Sequence, residues 1–120
     1  MFRSSAYTSA VSKQSMQEPT FLILTALAAG AQHGYGVMTD VARISGGRVR
    51  LRAGTLYAAL DRLKADGLVT SDKEEVVDGR LRRYYRITDE GTEELAAEVR
   101  RLRANAAVAA SRLGLAGGTA

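Results

Sequence analysis

The 120 residues predict a mainly α protein that carries a two-stranded hairpin and ends in a long helix. Three patterns lead to that class. Leu56, Leu60 and Leu63 recur at i, i+4 and i+7, the stripe of a helix that packs on a core. Residues 68–87 read as two strands around Asp78-Gly79, a dipeptide suited to a tight reversal. After residue 88, Leu95, Val99, Leu102, Ala106 and Leu113 follow the spacing of a helix that packs along another, with too little chain before it to cover them all.

Composition bounds the rest. Hydrophobic residues make up 46% and charged residues 25%, as in an ordinary single globular domain. Cysteine is absent, so disulfide and thiolate chemistry are excluded, and one histidine does not build a metal site. There are no paired carboxylates in an apolar setting, no nucleophile beside a base and no phosphate-cradling glycine loop, so neither an enzyme nor a bound cofactor is expected. The mostly apolar run Phe21–Ala31 is too short to span a bilayer, and a cytoplasmic protein is expected. The net charge of +4 favours an anionic partner. Its distribution says more, because eleven of the 17 basic residues fall from Arg43 to Arg86.

Taken in order, residues 1–17 are rich in Ser, Thr and Ala, with only Phe2, Tyr7 and Val11 as apolar anchors, and read as a flexible or helical extension. Glu18 and Pro19 open a helix that runs to about Ala29. Phe21, Leu22, Ile23, Leu24 and Leu27 make it apolar nearly all round, so either the extension or a second subunit is expected to cover it. The His33–Gly36 stretch turns into a second helix, Tyr35 to about Ser45, with Val37, Val41 and Ile44 as its core stripe. His33 reads as a structural hydrogen-bonding group of that turn. A short basic strand carries Arg48, Arg50 and Arg52 on one side. The third helix follows, with Ala53 extending its leucine stripe backwards and Gly67 closing it after Asp66. Thr55, Ala58 and Arg62 form its opposite side, with Tyr57, Asp61 and Lys64 on a flank. In the returning strand Leu81, Tyr85 and Ile87 point inward with Arg83, and Arg82, Tyr84 and Arg86 point outward. Thr88 caps the last helix, whose Glu93, Glu94 and Glu98 read as a solvated face.

Two helices leading to a groove-ready third, followed by a basic hairpin, make a winged helix-turn-helix. Residues 18–88 are assigned to it, 89–113 to a dimerisation helix and 114–120 to a flexible tail. The third helix is expected in the major groove of double-stranded DNA, with Arg50, Arg52, Thr55, Tyr57 and Arg62 on phosphates or base edges. Arg80, Arg82, Arg83 and Tyr84 of the wing are expected on the adjacent backbone. Phe21 and Leu24 of the first helix, with Leu95, Val99, Leu102, Ala106 and Leu113 of the last, are expected to hold a homodimer. Two alternatives stand beside this reading: arginines that only solubilise the chain, and a winged helix that binds protein without DNA.

The order HGYG, GTLYAALDRLKADGLV and RRYYRITDEG, from Glu18 to about Leu113, resembles the PadR family of bacterial transcriptional regulators. The resemblance implies a repressor that dimerises through its C-terminal helix and leaves DNA when a small-molecule effector or another signal arrives. It places Gly54–Tyr57 in the recognition helix and Arg82–Tyr85 in the wing. The chain departs from the family pattern in having Arg52 and Ala53 where serine or proline often precedes the helix. It also lacks the tryptophan with which some small members hold flat aromatic drugs, so an effector pocket would be lined by aliphatic residues of the first and last helices, with Tyr7 or Phe21.

Overall fold

The computed structural model describes residues 16–115; Phe2, Tyr7 and Val11 of the expected extension, and the end of the tail, lie outside the described residues. Helix α1 spans Glu18–Ala28, strand β1 Gln32–His33, α2 Gly34–Ile44 and α3 Ala53–Ala65. Strand β2 then spans Val69–Val77, β3 Arg80–Ile87, and α4 Asp89–Arg112.

The core is built by the apolar runs the sequence marks. Ile23, Leu24, Leu27, Val37, Val41, Leu56, Leu60 and Val69 are all but inaccessible to solvent. Each such side chain withdrawn from water contributes roughly 1.5–3 kcal/mol, so this cluster dominates the stability of so small a unit. Helix α1 packs on α2, α4 and β3 of the same protomer, so much of its apolar surface is covered without the extension or the second subunit expected over it. Leu24 is therefore sealed in the protomer's own core and offers no surface to a partner.

The sheet has three antiparallel strands in the order β1-β3-β2, one more than the expected two-stranded wing. The added strand pairs Gln32 with Tyr85 and His33 with Tyr84. Two polar residues carry no alternation, so nothing in the sequence marks them as a strand. The hairpin reverses on Asp78 and Gly79, with φ +52° and +76°, the left-handed pair that a two-residue turn requires. A bulge between Ser71 and Glu74 puts one extra residue into β2 and restores pairing of Glu74 with Arg83 and Val76 with Leu81. Beyond the bulge the hairpin overhangs the core, which is why Leu81, expected inward, is 62% exposed while Tyr85 of the same face is buried.

Helix α4 is tied to the rest at its first turn. The Thr88 hydroxyl donates to the Gly67 carbonyl at 2.7 Å and accepts from the Gly91 amide at 3.0 Å. Gly91 lies so close to the strand that a Cβ there would come within 2.1 Å of the Leu68 carbonyl oxygen. Gly91→Ala is expected to lower stability by about 1–3 kcal/mol through this clash with backbone. Gly54→Ala, in an exposed turn of α3 with nothing near its Cβ position, is expected to raise it by up to about 1 kcal/mol. Chemical denaturation of both variants checks the pair.

Candidate nucleic-acid interface

Helix α3 separates its two faces sharply. Leu56, Leu60 and Leu63 are buried, and Ala59 joins them, while Ala53, expected on that stripe, is exposed at the helix start. Ala53 precedes the point where α3 meets the core. On the opposite side Thr55, Ala58 and Arg62, at i, i+3 and i+7, are all exposed. Burial of the leucines thus aims this stripe outward.

The residues leading into α3 differ from the expected basic strand. Arg48–Arg52 form an irregular segment with no sheet partner. Arg48 is turned away to make a two-point ion pair with Glu18 at the start of α1, where its guanidinium lowers the Glu18 pKa from the ordinary value. The Arg50 guanidinium folds back over Gly47, whose Cβ position would lie 3.0 Å from it. Arg50, Arg52, Arg62, Arg80 and Arg82 have no carboxylate partner among the described residues. Other arginines of the same region are engaged: Arg83 with Glu74 at 2.9 Å, Arg86 with Asp72 at 3.6 Å and Arg43 with Asp40 at 3.2 Å. Carboxylates already occupy these three, so the five free guanidinia carry most of the attraction for an anion.

The wing is braced where it meets α2. Tyr84 donates to Glu75 at 2.7 Å, which raises the phenol pKa, and Lys73 lies over its ring. The same ring meets His33 edge to face, with centroids 5.4 Å apart. His33 in turn accepts the Gly36 amide at Nδ1 and caps α2, the structural role its position suggests. Tyr84, expected on a DNA backbone, is thus half-buried in this brace. Strand β1 ends at His33, so residues 80–83 of β3 continue with only β2 beside them.

In the step left there lies a cleft of about 630 Å³ between wing tip and helices, lined by His33, Gly34, Tyr35, Tyr57, Val77, Asp78 and residues 80–83. Tyr57 leans over Gly34 so closely that a Cβ at residue 34 would sit 2.3 Å from its hydroxyl. It is accordingly a packing strut between α3 and α2 as well as a half-exposed surface residue. Tyr35, 70% exposed in the same cleft, was given no role by sequence reasoning. The available signal was an aromatic residue between the two glycines of a helix start, off the Val37–Val41 core stripe.

Along α4, Leu95 packs against the core, Val99 is half-buried, and Leu102, Ala106 and Leu113 are exposed, as are Val108 and Leu115. Phe21 of α1 is half-buried. Glu98 corrects the reading of its neighbours as a solvated face: it is 4% exposed and accepts from Arg101 Nε at 3.1 Å. It lies three residues after Leu95, on the side of α4 that turns to the protomer. Among the described residues no helix is long and apolar enough to cross a membrane.

A three-helix unit with a braced hairpin beside its outward third helix defines a winged helix-turn-helix protein. The family model described as transcriptional regulator PadR-like matches residues 23–97, and the chain belongs to that family, whose members are regulators of transcription rather than enzymes. The transcriptional regulator Rv3488 of Mycobacterium tuberculosis is 51% identical over 53 residues, 44% of this chain and 49% of that protein, so the match spans about half the length of this curated relative. A PadR family transcription regulator from Clostridium difficile shares 28% identity at a TM-score of 0.62, over 78% of this chain and 96% of that one. The Bacillus subtilis PadR solved in complex with operator DNA has the same fold, with a TM-score of 0.59 at 22% identity over 67% of this chain and 45% of that one.

The Glu18–Arg48 pair gives a pH signature. Because the folded carboxyl is lowered, its stabilisation is fully present above the unfolded value near pH 4.3 and is lost as pH falls through the folded one. Thermal melts are expected to show Glu18→Gln less stable than the parent chain at pH 7, with the difference shrinking as acid protonates the parent's Glu18.

Proposed function

We propose that the chain is a homodimeric repressor that binds double-stranded DNA, with α3 in a major groove and the wing on the neighbouring backbone. The observation that carries this reading is the shared exposure of the Thr55–Arg62 stripe and of Arg50, Arg52 and Arg80, with the half-buried Arg82 beside them, all without carboxylate partners among the described residues. Arginines left free on a basic chain displace counterions from phosphates, so the affinity falls steeply with salt. The Bacillus subtilis PadR, which shares the fold, was solved in complex with operator DNA, and that supports DNA as the partner. The uncovered residues of α4, Leu102, Val108 and Leu113, fit a second copy of the helix, with half-sites about 10 base pairs apart or a multiple of that spacing. Release by a small molecule held between the first and last helices, near Phe21, completes the proposal.

Gel mobility shifts with duplexes that the purified chain captures from its own genome test it. Arg62→Ala and Arg82→Ala are each expected to weaken binding by about 1–3 kcal/mol, and a phosphate-contacting arginine to reduce the salt slope by about 1. Unchanged binding in both, or binding indifferent to salt, contradicts the reading. Sedimentation is expected to show a dimer that Leu102→Glu combined with Leu113→Glu converts to monomers; an unaltered dimer contradicts the role given to α4.

A further inference from the structure

We infer that one sugar–phosphate strand of the duplex passes through the cleft between wing tip and α2, and that Tyr35 is a positioning residue whose hydroxyl holds a phosphate there. The inference rests on the DNA-binding reading above. Adjacent grooves of a duplex are separated by a single backbone strand. A protein with α3 in one groove and a wing over its neighbour must let that strand cross between the two elements. The gap between them is the cleft bounded by Tyr35, Tyr57, Leu81, Arg80 and Arg82.

The lining suits a strand that alternates sugar and phosphate. Leu81, 62% exposed, is an apolar wall on the wing side, and the Tyr35 ring, 70% exposed, stands at the start of α2. Neither exposure serves the core. The Tyr35 hydroxyl has no hydrogen-bond partner among the described residues, whereas Tyr57 is held against Gly34 and Tyr84 is bound to Glu75. The Tyr57 hydroxyl is likewise without a hydrogen-bond partner among the described residues, but its ring is seated on Gly34, so Tyr35 is the more open of the two cleft tyrosines and the one placed to reach an incoming oxygen. Arg80 and Arg82, without carboxylate partners among the described residues, neutralise the strand on the other side. Such a contact fixes the register of α3 on the duplex and carries no sequence preference of its own.

The test uses the full chain and a duplex it captures, bearing single methylphosphonates, uncharged replacements for one phosphate at a time. Tyr35→Phe is expected to weaken binding roughly 10-fold, the loss of one hydrogen bond to a charged acceptor, on all sequences alike. Its salt slope stays that of the parent chain because tyrosine carries no charge, while Arg82→Ala lowers the slope. At one methylphosphonate position Tyr35→Phe costs nothing further, which a general loss of folding cannot imitate. Tyr35→Leu, which also lacks the hydroxyl, loses at least as much. Parent-like binding by Tyr35→Phe, or an equal loss at every methylphosphonate, overturns the inference while leaving the DNA-binding reading intact. Failure of the parent chain to hold any duplex overturns both.

Discussion

Burial of the α3 leucines is the constraint from which the rest follows. Leu56 and Leu60 are wholly enclosed and Leu63 nearly so, against an interior supplied by α1 and α2. A helix cannot rotate once three such side chains are seated, because a turn of one residue would expose them and bury Thr55 or Arg62 instead. The outward stripe therefore owes its direction to the inward one. Tyr57 adds a second restraint, since it fills the space that the missing Gly34 side chain leaves at the start of α2.

The same economy governs the two attachments of α3. On one side Arg48 is anchored to Glu18, so the loop before the helix hangs from the start of α1, and Arg50 and Arg52 follow from a fixed point. On the other, Thr88 joins the last helix to the carbonyl at the end of α3, and Gly91 permits backbone contact with Leu68. The start of α4 is thereby held against the base of the wing and the residues that follow α3.

Much of this was legible in the sequence, for a physical reason. Periodicity reports burial, and the leucine stripe, the Asp78-Gly79 reversal and the Thr88 cap are local signals that the fold obeys. Features decided by distant partners were not legible. Arg48 looks the same as Arg50 along the chain, yet only Arg48 meets Glu18, thirty residues away. Glu98 resembles Glu93 and Glu94, but its helix phase turns it inward behind Leu95. Leu24 belongs to an all-apolar helix that reads as needing the extension or a second subunit over it, yet it is enclosed in the core with α2 and α3. Leu81 shows the reverse: its alternation with Tyr85 holds, but the hairpin outruns the core beneath it. Of the surface, the sequence marked which residues are basic and which faces are outward, but not which arginines are already neutralised by Glu74, Asp72 or Asp40.

The central claim is that α3 and the wing form one continuous face for a polyanion, and backbone amide resonances followed during titration with a captured duplex test it most directly. The expected result is that the largest shifts fall together on the first turns of α3, on Arg62, and on residues 80–83, at one stoichiometric end point. Shifts confined to α4, or the two elements responding at different end points, would contradict a shared face.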